Sequence, residues 1–114
     1  MINQLRIYEI FEPTRQEFLD RFKNHAARIM ADHEFEIVAM WETRHNEKPA
    51  FAYLMAWSDE AHMKRAWTAF MADPEWAAIK AARDPDGGPI VGEIVDLPLA
   101  PCAFSRDLRA PDVS

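Results

Sequence analysis

A chain of 114 residues, 49% of them hydrophobic, is long enough to bury a core as one domain without disulfides or a structural metal. Its 19 acidic and 13 basic side chains give a formal net charge of -6, and the basic residues are interleaved with acids, which argues against nucleic acid as a partner. No stretch approaches the roughly 20 apolar residues of a membrane span, and the single Cys102 has no partner for an internal bridge. The N-terminal MINQLRIYEIF carries no basic flank and no small-residue cleavage site, so the expected location is the cytoplasm.

LRIYEIF, residues 5–11, alternates as a strand, with Leu5, Ile7 and Phe11 on one side and Arg6, Tyr8 and Ile10 on the other. Thr14 with Glu17 three residues later is a capping-box pattern that opens a helix. Its apolar face is expected to carry Phe18, Leu19, Phe22, Ala26, Ile29, Met30 and His33. FEIVAMWE, residues 35–42, is a second strand, residues 43–49 a hairpin loop, and AFAYLMAW, residues 50–57, a third strand. That third strand puts Phe51, Tyr53, Met55 and Trp57 on one side and the smaller Ala52, Leu54 and Ala56 on the other.

Ser58 is the expected N-cap of the next helix, with Asp59 and Glu60 in its first turn and Met63, Ala66, Trp67, Phe70 and Met71 on its buried face. Asp73-Pro74 restarts a helix that carries Trp76 and Ile79, and RDPDGGP closes it. IVGEIVDLPL, residues 90–99, is the fourth strand. The domain is read as residues 1–105, followed by an irregular tail, 106–114, with a mobile end.

The order β-α-β-β-α-β predicts an α+β fold of the ferredoxin-like plan, a four-stranded antiparallel sheet with both helices on one face. Strands one to three are largely apolar on both sides, so the other sheet face needs a cover as well. Two copies stacked face to face supply it, and a homodimer is the expected partner state.

These segments, taken in order, resemble the NIPSNAP family of the dimeric α+β-barrel superfamily. The resemblance rests on LRIYEI, FEIVAMWE, FAYLMAW followed by SDEAHMKRAW, AFMADPEW and GPIVGEIVDLPLAPCAFS. It implies a dimeric α+β barrel and brings little biochemical assignment. Glu34 stands where the family tends to have glycine, before strand two, so a left-handed turn is not assured there.

Candidate site residues follow from position. Tyr8 and Tyr53, if both reach a cavity between helices and sheet, donate hydrogen bonds to a carbonyl or phenolate, with Arg6 on the same strand face as Tyr8. His33 and His25 lie on or beside the apolar face of the first helix, as structural hydrogen-bonding residues or as a base. Trp67 and Trp76 are read chiefly as core, Trp41 and Trp57 sit near strand ends, and Trp41, Trp57 and Trp67 are candidates for a pocket wall. His45 belongs to the loop. Some enzymes of the wider superfamily place a haem-ligating histidine on the second helix, which makes His62 the candidate by resemblance; no permanent cofactor is otherwise expected. No histidine pair or carboxylate cluster has metal-site spacing, and neither a phosphate cradle nor a GxSxG elbow occurs.

Three functions are compatible with this pattern: a homodimer binding a small apolar or aromatic ligand, a cofactor-independent monooxygenase or isomerase acting on an aromatic or polyketide-like substrate, and a non-catalytic protein-interaction module.

Overall fold

The computed structural model describes residues 1–110. Its strands are β1 (Ile2–Ile10), β2 (Glu36–His45), β3 (Lys48–Trp57) and β4 (Val91–Leu99). Between β1 and β2, α1 (Arg15–Arg21) runs through a π-helical turn (Phe22–Ala26) into α2 (Ala27–Asp32); α3 (Glu60–Met71) and α4 (Pro74–Ala81) join β3 to β4. The strands form one sheet in the order β2-β3-β1-β4, each neighbouring pair antiparallel. This is the ferredoxin-like plan, the fold of the dimeric α+β-barrel superfamily.

Register explains which residues reach the core. Gln4, Arg6 and Tyr8 stand opposite Met55, Tyr53 and Phe51, so one face of the two central strands carries the large side chains. The helices bury that face with Phe18, Phe22, Ile29, Met30, Phe70 and Trp76. Each aromatic or aliphatic side chain enclosed there contributes roughly 1.5–3 kcal/mol against exposure. Within the first helical segment the buried residues Phe18, Phe22, Ala26 and Met30 recur every four positions, a spacing that drifts off one face of a 3.6-residue helix. The π turn, in which the Ala27 N–H donates to the Phe22 carbonyl, is wider and holds them on it.

Several local expectations change. Thr14 makes no side-chain cap; its hydroxyl donates to the Pro89 carbonyl at 2.7 Å, tying the start of α1 to the approach to β4. Glu17 is correspondingly taken by Arg83, at 2.5 and 3.2 Å. The expected seven-residue loop contracts to Asn46 and Glu47, with φ of 52° and 64°; two left-handed residues make a turn that matches the twist of the strands and lets both run on to the tip. His45 therefore lies at the end of β2, paired with Lys48. The N-cap of α3 is Asp59 rather than Ser58, accepting from the His62 N–H at 2.7 Å. Asp73 caps α4 by accepting from the Trp76 N–H at 3.0 Å, with Pro74 in the first turn.

Glu34 is left-handed, φ 68°, although it is not glycine. Its carbonyl accepts a hydrogen bond of 3.0 Å from His62 Nε2, which fixes the turn that a glycine would adopt without side-chain strain.

The face away from the helices carries Leu5, Ile7, Ala52 and Leu54 at its centre, flanked by Ala39 and Trp41 on β2 and Val95 and Leu97 on β4. A bulge between Ile37 and Ala39 sets Trp41 on this side. Trp41 is 50% exposed and Leu97 43%. One end of the face is crossed by the chain after β4. Asn3 donates to the Leu108 carbonyl at 3.3 Å, and Glu36 accepts from Arg109 and from the Ala110 N–H at 2.9 Å. The expected tail is thus irregular but tied down as far as residue 110; its residues 111–114 lie outside the described residues.

Candidate functional site

Where α1, the π turn, α3 and α4 arch over β1 and β4, a cleft of about 200 Å³ remains open. Phe18, Phe22, Trp67, Phe70 and Trp76 wall it, and Arg6 and Tyr8 form its floor. Packing sets the walls: Phe70 stacks on Trp76 at 5.3 Å between centroids, and Tyr8 meets Phe18 edge-on at 6.1 Å.

The polar floor is a connected network. Tyr8 and Tyr53 face one another from β1 and β3 with their oxygens 2.6 Å apart. Arg6 donates to the Tyr8 oxygen from Nη2 at 3.3 Å and from Nε at 3.4 Å, and from Nη1 to Asp96 at 3.2 Å. Burial, reinforced by Tyr8, pushes the Tyr53 phenol far above its ordinary pKa, so it keeps its proton. Tyr53 is fully buried, and a buried hydroxyl that fails to donate costs about 1–3 kcal/mol; it donates to Tyr8. The Tyr8 oxygen is then filled with donors, and its own proton is free to point into the cleft. Burial opposes the charge of Arg6, but the two phenols and Asp96 outweigh it and its pKa is raised.

Gln4, almost completely buried, organises the neighbouring wall. Its carbonyl oxygen accepts from both Trp57 Nε1 at 3.0 Å and Trp67 Nε1 at 2.8 Å, while its amide donates to Asp96 at 2.8 Å. The Arg6 guanidinium lies 4.4 Å from the Trp67 ring centroid. Asp96, Gln4 and Arg6 therefore hold one indole from its edge and its face.

A family model for NIPSNAP matches residues 3–106. The chain belongs to the NIPSNAP family. No curated protein matches it in sequence. Among solved structures it is similar to an uncharacterised NIPSNAP domain protein from Burkholderia xenovorans, with a TM-score of 0.76 at 22% identity over 94% of this chain and 100% of that one. It is also similar to a monooxygenase, ActVA-Orf6 of Streptomyces coelicolor, in complex with nanaomycin D (TM-score 0.58, 11% identity, 93% and 91% of the two chains). A third is the haem-degrader MhuD of Mycobacterium tuberculosis with two haems bound in its active site (TM-score 0.54, 13% identity, 94% and 100%). At these identities the likenesses show the fold alone.

Of the residues singled out in the NIPSNAP sequence, Arg6, Tyr8 and Trp67 line the cleft and Tyr53 supports it from behind. The others lie elsewhere. His33 turns to Asp73, its Nε2 at 2.8 Å from the carboxylate, and bridges the end of α2 to the cap of α4. His25 is exposed on the π turn. Trp57 is enclosed in the core, and Trp41 stands on the opposite face of the sheet. None of the four histidines lines the cleft.

His62 does not suit a haem. The Ser58 N–H donates to its Nδ1 at 3.2 Å, so Nδ1 holds a lone pair and Nε2 the proton, which goes to the Glu34 carbonyl. Neither nitrogen is left for an iron, and His62 does not line the cleft. Among the described residues no group of three or more His, Cys, Asp or Glu is arranged to hold a metal ion, and no helix is long and apolar enough to cross a membrane.

Sequence reasoning read Phe18, Phe22, Phe70 and Trp76 only or chiefly as core, and it missed Gln4, Asp96, Arg21 and Lys80. Gln4 gives no signal beyond its inward strand parity. Trp76 is both core and wall. Arg21 and Lys80 were visible only as an arginine three positions from Phe18 and a lysine four positions from Trp76, spacings that place each beside an aromatic on its own helix.

Proposed function

We propose that this NIPSNAP protein is a cytoplasmic homodimer that binds a small aromatic or apolar molecule in the cleft between helices and sheet. The observation that carries the reading is the Tyr8 hydroxyl, accepting from Arg6 and hydrogen-bonded to Tyr53, at the floor of an aromatic-walled cleft. An apolar wall with a few convergent polar groups is the usual make-up of a small-molecule site. The homodimer is supported by the apolar outer face of the sheet, where Trp41 and Leu97 stand exposed beside Leu5 and Ile7. The free Cys102 is in keeping with a reducing compartment.

A second reading, a cofactor-independent monooxygenase or isomerase acting on an aromatic or polyketide-like substrate, draws on the same phenol. There Tyr8, backed by Arg6, would donate to oxyanion charge developing on the substrate. The reading lacks a base, because His33 and His25 are engaged or exposed outside the cleft. Binding is therefore preferred to catalysis, and the open cleft speaks for either over a purely protein-interaction module.

Native mass spectrometry of the purified protein tests the reading. The expected result is a dimer that retains an aromatic or apolar small molecule, or gains one on addition of 2-naphthamide. The Tyr8→Phe variant should hold that amide at least several-fold more weakly. A monomer removes the dimer, and a dimer that takes up neither compound removes the ligand site.

A further inference from the structure

The cleft is lined by charges of one sign. Three ionisable side chains besides Tyr8 line it, Arg6, Arg21 and Lys80, all cationic, with no carboxylate among the lining residues. In a chain with 19 acids and 13 bases this is the reverse of the overall balance. The three cations are not equivalent. Arg6 is committed at the floor to Asp96 and Tyr8. Arg21 and Lys80 stand against one ring at the opposite wall, the guanidinium carbon 5.3 Å and the ammonium nitrogen 5.7 Å from the Trp76 centroid.

Arg21 is the telling residue. Glu17, one turn before it on α1, is the natural partner, but both oxygens of that carboxylate are taken by Arg83. Among the described residues neither Arg21 nor Lys80 forms an ion pair with a carboxylate. Burial first, then the nearby Arg83, weigh against the charge on Arg21 and lower its pKa, and Glu17 offsets them only in part. A half-buried guanidinium whose nearest carboxylate is bonded to another arginine is costly, and an anion placed beside it relieves that cost.

We infer that the ligand is an amphipathic organic anion: a one- or two-ring apolar body in the aromatic cleft, a carboxylate held by Arg21 and Lys80 at the Trp76 wall, and a carbonyl or hydroxyl oxygen accepting from Tyr8 at the floor. The size follows from the volume, about 200 Å³, and the arrangement from the separation of committed and uncommitted cations. The inference rests on the cleft being a ligand site and adds the sign of the ligand's charge.

Isothermal calorimetry with three compounds of one shape tests it: 2-naphthoate, neutral 2-naphthamide and cationic 2-naphthylmethylammonium. The expected order is naphthoate at least tenfold tighter than the amide, with no detectable binding of the ammonium. Arg21→Gln and Lys80→Gln should each bring naphthoate down toward the amide, narrowing the ratio of the two affinities measured on the same variant. Arg21→Lys should keep most of the preference, and an unaltered circular dichroism spectrum shows that each variant is folded. Equal affinity for naphthoate and amide, or a preference that survives both glutamine variants, overturns the charge selection and leaves the ligand site standing. No binding of any of the three overturns both.

Discussion

The hydroxyl oxygens of Tyr8 and Tyr53 lie 2.6 Å apart although the residues are 45 positions distant in the chain. Tyr53 lies buried behind Tyr8, and Tyr8, at the floor of the cleft, is the one that would meet the proposed ligand. Tyr53→Phe should lower stability by about 1 kcal/mol in urea denaturation and weaken 2-naphthamide binding less than Tyr8→Phe does. The opposite order of affinities would mean that the roles of the two phenols are reversed.

Glu34 occupies a left-handed conformation with φ 68°. Glycine removes the clash of the β-carbon there, so Glu34→Gly should stabilise the protein by about 0.5–1 kcal/mol, a rise in Tm of a few degrees in a chain of this length. His62→Phe keeps an aromatic ring near Trp57, now at 5.0 Å, but loses the hydrogen bonds to Ser58 and the Glu34 carbonyl. It should cost about 1–2 kcal/mol.

Acid should loosen the junction of α2 and α4. The hydrogen bond from His33, followed by that from the Trp76 N–H, holds the Asp73 carboxyl below its ordinary pKa. The unfolded chain therefore binds more protons than the folded one below about pH 4, and stability rises with pH through that range. The contribution is complete above the unfolded pKa and disappears as pH falls through the lowered folded value. In urea melts taken from pH 6 down to pH 2, Asp73→Asn should be less stable than the parent at the upper end and show a shallower decline below pH 4. Parallel curves would assign the acid sensitivity to other carboxylates.

Trp41 and Leu97 flank the apolar centre of the outer sheet face and are both largely exposed in the single chain. Replacing both with glutamate puts charge where a second copy would dock while removing little from the chain's own core. Light scattering should report a dimer for the parent and a monomer for Trp41→Glu/Leu97→Glu, with the circular dichroism spectrum unchanged. A parent that is already monomeric ends the dimer proposal.

The strand parity of this fold can be read from the residues themselves, because β3 alternates Phe51, Tyr53, Met55 and Trp57 with Ala52, Leu54 and Ala56. Two antiparallel strands of known parity were enough to bring Tyr8 and Tyr53 to one face. Helix faces were less secure. His33 shares the apolar spacing of α2, but it is the residue that ends that helix, and the carboxylate it meets, Asp73, lies 40 positions away. Arg21 and Lys80 looked like parts of solvated faces, since a helical pattern shows which side chains are neighbours on one helix and not where three helices leave a gap. The π turn was equally hidden, as its only trace is a four-residue repeat among Phe18, Phe22, Ala26 and Met30, whose drift is masked by Leu19 and Ile29 widening the apolar face.

The segment after β4 leaves one edge strand and, by residues 109 and 110, reaches Glu36 at the start of the other, passing Asn3 of β1 on the way. It works as a clasp between the two edges of the sheet. The exposed ion pair of Arg109 with Glu36 is worth little alone, but unzipping β2 from that end also strips the Ala110 N–H of its partner, the Glu36 carboxylate. Fraying of β2 is accordingly one-sided: amide exchange should be slow near Glu36 and fast near His45, where the strand ends in a two-residue turn and nothing crosses it.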